Sequence, residues 1–216
     1  PHSISSNSVF SIYEDISGIV WIGTNFGGIN KFNPKKRKFA HYKSQPGNPN
    51  SLNSNSILSV YEDNQGIIWL GTNGGGLNRF DPQNNKFKHF TNNPAYEKSL
   101  SNNVVRSICE DKYHRLWIAT DFGLNRFDSE SNTFVRYMYD PDDPNSVGYT
   151  NIWSLYLDRN SILWLGTVEG LNQYDYETER FIRYKEEANN LNSISNHFIW
   201  DIFQDPAGKL WIATNS

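Results

Sequence analysis

The sequence predicts an all-β fold built from a four-stranded unit that repeats along the chain, and three observations support this prediction. A Trp-[Ile/Leu]-[Gly/Ala]-Thr motif recurs five times, with successive tryptophans 47 or 48 residues apart. Aromatic residues make up 15% of the chain, a share that favours strands over helices. No segment has the spacing of apolar residues that indicates an amphipathic helix. The motif tryptophans are Trp21, Trp69, Trp117, Trp164 and Trp211.

Each repeat contains four short strand candidates separated by turn residues, and in the second repeat these are 56–63, 66–72, 76–82 and 86–91. Four antiparallel strands in every 40 to 50 residues are typical of a propeller blade, which excludes a solenoid of helix pairs. The predicted fold is therefore a β-propeller fragment built from four-stranded antiparallel blades with a 47–48-residue repeat. We interpret 1–216 as one propeller segment, with blades at approximately 8–43, 56–91, 104–138, 151–185 and a partial fifth at 198–216.

Two repeated residues have structural interpretations. The motif tryptophans are expected to pack between blades, where a large aromatic side chain removes the most area from water, rather than to stack on a ligand. We expect Trp21, Trp69, Trp117 and Trp164 to be buried. An aspartate lies six residues before each tryptophan, as Asp15 does before Trp21. One acid per turn, without alternating oxygen ligands, favours capping of a tight turn over a calcium site.

Composition and charge exclude several functions. The net charge of −3 and the scattered basic residues argue against a nucleic-acid partner. Cys109 is the single cysteine and no Cys/His cluster has zinc spacing, so we expect neither metal nor cofactor. No apolar run is long enough to span a bilayer. Because a partial blade leaves apolar faces uncovered, we expect a fragment of a longer propeller and a homo-oligomer formed through propeller or edge contacts.

The segment from Ser51 to Asp81 closely resembles the repeat of the two-component regulator propellers: Ser-Leu, Asn55, Glu-Asp, Gly66, Trp-Leu-Gly-Thr and Gly-Leu-Asn follow in that order. The resemblance covers essentially the whole chain. It implies that the chain belongs to the extracytoplasmic sensor of a membrane-bound bacterial histidine kinase, commonly a hybrid one. Such a sensor is periplasmic or extracellular. Many members of the family respond to fragments of complex polysaccharides. Membrane attachment would then lie in other parts of the parent chain, and the repeat identifies a scaffold rather than a ligand.

Function is expected where the repeats differ. One position on the first strand is Phe10, Leu58, Arg106, Trp153 or Trp200 in successive repeats. Two tryptophans and an arginine at an otherwise apolar position suit an oligosaccharide, because aromatic rings stack on sugar CH faces and a guanidinium pairs with a uronate or sulfate. The competing interpretation is that both tryptophans are simply larger core residues. Further ligand-binding candidates on nearby loops are Phe122, Glu169 and Tyr149.

Catalytic templates are absent from the sequence: there is no G-x-S-x-G, H-E-x-x-H or P-loop motif. His41 and His89 occupy equivalent positions in outer strands, which favours a repeated structural role. We therefore expect no catalytic residue and no enzyme activity in this segment. A ligand-sensing segment is the favoured function. A protein-binding scaffold propeller and a glycan-processing propeller enzyme are the alternatives.

Overall fold

The computed structural model describes residues 3–215, which form eighteen β-strands in five antiparallel sheets. The first sheet contains β1 (Val9–Glu14), β2 (Val20–Thr24), β3 (Gly28–Asn33) and β4 (Lys38–Tyr42). The second contains β5 (Ile57–Glu62), β6 (Ile68–Thr72), β7 (Leu77–Asp81) and β8 (Lys86–Phe90). The third contains β9 (Val105–Glu110), β10 (Leu116–Thr120), β11 (Gly123–Asp128) and β12 (Thr133–Tyr137). The fourth contains β13 (Ile152–Leu157), β14 (Leu163–Thr167), β15 (Gly170–Asp175) and β16 (Arg180–Tyr184). The fifth contains β17 (Ile199–Gln204) and β18 (Leu210–Thr214).

In each four-stranded sheet the strands lie side by side in chain order. Residues 3–215 contain no helix, so the predicted all-β fold with repeated four-stranded antiparallel blades is confirmed. The chain divides into two compact units. The first comprises Pro1–Asn92 and Asn103–Ile108, and the second comprises Asn93–Asn102 and Cys109–Ser216.

Within each unit, neighbouring sheets meet through their first strands. In the first unit β5 contacts both β1 and β2, and in the second unit β17 contacts both β13 and β14. In the first and fourth sheets the glycine of the motif explains how closely the next sheet approaches. A Cβ on Gly23 would lie 2.9 Å from Ile57 Cγ2, and one on Gly166 would lie 2.7 Å from Ile199 Cγ2, so a side chain there would collide with the next sheet.

The threonine of the same motif closes the loop that follows the second strand. Thr24 Oγ1 donates a hydrogen bond to the Gly28 carbonyl at 2.9 Å, and Thr167 Oγ1 donates one to the Gly170 carbonyl at 2.8 Å. Both threonines are fully buried. A buried hydroxyl needs such a partner, which accounts for the threonine in the first four copies of the motif.

Candidate functional site

The motif tryptophans are held by the aspartates that precede them. Trp21 Nε1 donates to Asp15 Oδ2 at 2.8 Å, and the other four pairs have distances between 2.7 and 3.0 Å. Asp15 Oδ1 also accepts from the amides of Ser17 and Ile19, which is the predicted turn capping. Burial disfavours ionisation of Asp15, but hydrogen bonds from Ser17, Trp21 and Ile19 outweigh it, so the pKa of Asp15 lies below its ordinary value.

Three of the motif tryptophans are buried as expected, with exposed fractions of 1% for Trp21, 3% for Trp69 and 0% for Trp117. The expectation for Trp164 is wrong, because this residue is only partly buried. The third strand of the next sheet explains the difference. The Phe80 ring lies 6.1 Å from that of Trp21, and the Tyr174 ring lies 4.8 Å from that of Trp117. Within residues 3–215 the fifth sheet has two strands, and no third strand covers Trp164.

The loops between sheets form hydrogen bonds with the sheet that they enter. In each four-stranded sheet a buried asparagine on the third strand accepts a backbone N–H from the incoming loop, as Asn172 Oδ1 does from Gly148 at 2.7 Å. His41 and His89 contact the carbonyls of Ser3 and Ser51 at 2.9 and 2.7 Å. The repeated structural role predicted for the two histidines is therefore confirmed.

Arginines replace the histidine in the third and fourth sheets and make more contacts with the incoming loop. Arg183 Nε donates to the Ser146 carbonyl at 3.0 Å, and its Nη2 reaches Ser146 Oγ at 2.7 Å and the Asp143 carbonyl at 2.8 Å. Arg136 bonds to Ser99 in the same way. The equivalence of these arginines and the histidines follows from the 47–48-residue period, so the sequence contained a signal for it.

The variable first-strand position lies at a β-bulge, a feature that sequence reasoning missed. In the first sheet Val9 pairs with Thr24 and Ser11 with Gly23, so Phe10 between them has no partner on β2. The same skip occurs at Leu58, Trp153 and Trp200. A bulge re-aims the side chain of the extra residue and is common beside functional sites. A bulge also frees the residue from cross-strand packing, which gives a physical reason for the variety of side chains found here.

In the second unit the structure brings two of the predicted ligand-binding residues together. The rings of Trp153 and Trp200 meet edge to face, with centroids 4.8 Å apart and an interplanar angle of 73°. The Phe198 ring lies 5.5 Å from Trp153 and 4.5 Å from Trp200. Trp200 is 44% exposed, and its Nε1 donates to Asn215 Oδ1 at 2.7 Å. These three rings form what we call the bulge aromatic cluster: Trp153, Phe198 and Trp200.

The remaining candidates are Arg106, Phe122, Glu169 and Tyr149. Arg106 is a partly buried residue of β9 and belongs to the first unit. Phe122 is 50% exposed and Glu169 is exposed, as expected for their loops, and the amide of each donates to a threonine Oγ1 at 3.1 Å. The Tyr149 ring packs on that of Tyr139 with centroids 5.6 Å apart. The structure thus supports an aromatic surface at Trp153 and Trp200.

Residues 3–215 contain no group of three or more His, Cys, Asp or Glu side chains that could hold a metal ion. Burial and the nearby charges of Asp111 and Glu110 raise the pKa of the Cys109 thiol far above its ordinary value, so this thiol is protonated at neutral pH. In the described part of the chain, no helix is long and apolar enough to cross a membrane.

The family model for the two component regulator propeller matches residues 3–26, 51–74, 99–122, 146–169 and 193–216. The chain belongs to this family. The first four matches end in the loop that follows a motif tryptophan, so the family pattern includes the turn aspartate, the tryptophan and the buried threonine. No curated protein sequence matches the chain.

Solved structures agree with the family assignment. One is the extracellular domain of a Bacteroides thetaiotaomicron protein assigned as a hybrid two component system, with 26% identity and a TM-score of 0.79 over 99% of this chain. The chain spans 27% of that domain's length. The predicted extracellular placement is thereby confirmed. A catalytically inactive virginiamycin B lyase from Staphylococcus aureus matches 96% of this chain and 63% of its own at 14% identity and a TM-score of 0.70, a likeness of fold alone.

Proposed function

We propose that this chain is a ligand-sensing segment of the extracytoplasmic part of a membrane-bound two-component regulator, and that its ligand is an oligosaccharide. The family assignment and the extracellular neighbour support the receptor context. The observation that carries the proposal is the bulge aromatic cluster, where a partly exposed tryptophan pair replaces the plain apolar residues of the first two repeats.

The chemistry of the cluster favours a sugar over an extended peptide. An exposed indole face beside an amide side chain is suited to a pyranose ring, because the ring's CH groups stack on the indole while its hydroxyls pair with the amide. Trp200 and Asn215 provide such a pair, since the indole N–H already orients the Asn215 side chain at 2.7 Å.

The position of Trp200 suggests how binding is transmitted. Trp200 lies on β17, whose Ile199 packs against the fourth sheet, and its indole is tied to Asn215 at the end of β18. A sugar stacked on Trp200 would therefore stabilise one arrangement of β17 and β18. A ligand shifts a receptor from one state to another only when it binds one of the two states more tightly. Membrane attachment and the kinase belong to the rest of the parent protein.

Two other functions are less well supported. The lyase likeness is one of fold at 14% identity, and a fold does not carry an activity with it. A protein-binding scaffold is the other alternative, because protein interfaces are enriched in aromatic side chains, but the Asn215 amide beside Trp200 is suited to sugar hydroxyls.

Isothermal titration calorimetry with uronate-containing and neutral oligosaccharides tests the proposal. We expect binding to the wild-type chain and at least tenfold weaker binding by Trp200→Ala and by Trp153→Ala, since one stacking contact contributes roughly 1–3 kcal/mol in comparable aromatic recognition. Trp211→Ala is the matched control, because Trp211 is also about half exposed but lies at the motif position. Unchanged affinity in both bulge variants would remove the sugar site.

A further inference from the structure

A cavity of about 250 Å³ lies between the first two sheets, within the first compact unit. Its walls are the end of β4, the loop 45–51 that leads towards β5, and the turn between β7 and β8. Tyr42 and Phe87 line it with half-buried rings whose centroids are 6.3 Å apart. Both sheets that bound the cavity have all four strands. The cavity is therefore a feature of a complete junction between sheets.

A side-chain bridge accounts for the space at this junction. Asn50 Nδ2 donates to the Asn85 carbonyl at 3.1 Å, and Asn50 Oδ1 accepts from the Phe87 amide at 2.8 Å. In the second unit the corresponding contact is direct, because the backbone carbonyl of Asn145 accepts from the Phe181 amide at 2.9 Å. An amide side chain thus separates the loop from β8 in the first unit, and the loop leaves room for a ligand.

The polar side chains that line the cavity include free hydrogen-bond donors and no carboxylate. Lys43 is exposed, and its ammonium forms no hydrogen bond or ion pair with any residue of 3–215. Gln45 Oε1 accepts from Asn48 Nδ2 at 2.8 Å, which leaves both N–H groups of the Gln45 amide available. An ammonium and an amide NH2 group both donate to negatively charged oxygens, so the lining favours an oxyanion.

The corresponding loop of the second unit carries the opposite charge at the position of Gln45. Glu187 Oε2 accepts from Asn190 Nδ2 at 2.8 Å, which is the loop hydrogen bond that Gln45 accepts in the first unit. The bond is kept, but an ionised carboxylate only accepts hydrogen bonds, whereas an amide also donates them. Lys185 occupies the position of Lys43. The first unit therefore has the lysine without the neighbouring carboxylate.

We propose that this cavity is a second binding site, and that it takes the oxyanion of a small acidic ligand, either a carboxylate or a sulfate group. Lys43 supplies the positive charge, and the NH2 group of Gln45 donates to an oxygen of the anion. The Asn85 side chain lines the same cavity and has no hydrogen-bond partner within residues 3–215, so it is available to hydroxyl groups of the ligand. The site uses residues of the first unit alone and does not depend on the sugar site at Trp200.

NMR titration of the ¹⁵N-labelled chain with sodium glucuronate, sodium sulfate and glucose, each at the same ionic strength, tests the proposal. The signals to follow are the side-chain NH2 resonances of Gln45 and Asn85. We expect these signals to shift in a saturable manner with at least one of the two salts, and the salt that binds more tightly identifies the preferred oxyanion. Glucose has no oxyanion and should leave both signals in place.

Three variants, followed at the Asn85 signal, assign the binding to the cavity. Lys43→Gln should weaken it by about fivefold or more, because it removes the charged donor. Gln45→Glu should weaken it by at least as much, because it keeps the loop hydrogen bond but places a negative charge beside the anion. Lys185→Gln is the matched control and should leave the affinity unchanged.

Several results would overturn the proposal. One is the absence of saturable shifts with both salts, and another is binding of glucose as tight as that of glucuronate. Unchanged affinity in both Lys43→Gln and Gln45→Glu would also overturn it. A loss in Lys185→Gln equal to that in Lys43→Gln would do the same, because it would show a general effect of charge rather than a site.

Discussion

Trp117 and Trp200 are the same residue type in two different regions, and their surroundings differ throughout. Trp117 lies on the second strand of its sheet, is fully buried, and donates its indole N–H to Asp111 at 2.8 Å. Trp200 lies at the bulge of a first strand, is 44% exposed, and donates to Asn215 just after β18. The first environment recurs with the period of the repeat, whereas the second occurs only where the repeats differ.

The comparison separates residues that build the scaffold from residues that are free to acquire a ligand. At the motif position the tryptophan and its aspartate constrain each other, so substitution is costly. At the bulge the extra residue has no cross-strand partner, and side chains as different as Phe10, Leu58, Trp153 and Trp200 are accommodated. The scaffold can therefore stay constant while the ligand surface changes.

The largest expected loss of stability follows from removing the buried Trp117 indole. Trp117→Ala should lower the free energy of unfolding by about 3–5 kcal/mol, because it leaves a cavity next to Tyr137 and Tyr174. Trp164→Ala is the comparison variant, and its loss should be smaller because Trp164 is partly exposed. Urea denaturation measures both. Equal losses would mean that the covering aromatic pair contributes little to stability.

The next effect concerns the carboxylate that holds the indole. Asp111→Ala should cost about 1.5–3 kcal/mol, because it removes a charged acceptor and leaves the Trp117 indole N–H buried without a partner. The double variant Asp111→Ala/Trp117→Phe should lose less than the sum of the single changes, since phenylalanine has no N–H to satisfy. Chemical denaturation of the wild type, Asp111→Ala, Trp117→Phe and the double variant gives the coupling free energy between the two side chains. Additive losses would argue against the hydrogen bond as the source of stability.

A smaller effect is expected in acid. The pKa of Asp15 in the folded chain lies below its ordinary value of 3.8, because the hydrogen bonds that it accepts outweigh its burial. A depressed pKa contributes stability that is complete above the ordinary value and is lost as pH falls through the folded value. Thermal unfolding between pH 6 and pH 2 should therefore show a decline below about pH 4 that is shallower in Asp15→Asn than in the wild type. The exposed Glu97→Gln serves as the control, and identical profiles for wild type and Asp15→Asn would contradict the prediction.

The smallest expected effect on stability is at the bulge. Trp200→Ala should change the free energy of unfolding by less than about 1 kcal/mol, as is usual for a partly exposed side chain outside the core. The same urea series measures it. A loss as large as that of Trp117→Ala would place Trp200 among the scaffold residues, in line with the competing interpretation of a larger core side chain.

The repeat made most of the fold predictable. The period and the alternation of strand and turn residues were enough for the four strands of each sheet, because every strand is bounded by residues with strong turn preferences. The partial exposure of Trp164 was not predicted, because it depends on whether a third strand lies on the following sheet. The bulges at Phe10 and Trp200 were also missed, since a bulge depends on register between strands and leaves no fixed residue type in the sequence.

The most direct test of the division between scaffold and ligand surface is a titration of the ¹⁵N-labelled chain with a uronate-containing oligosaccharide, observed at the indole N–H resonances. The seven tryptophans give seven such signals, of which five belong to indoles bound by the turn aspartates. We predict that the signals of Trp153 and Trp200 shift in a saturable manner while the five others remain in place. Shifts confined to the aspartate-bound indoles, or no shift in any indole signal, would contradict the account.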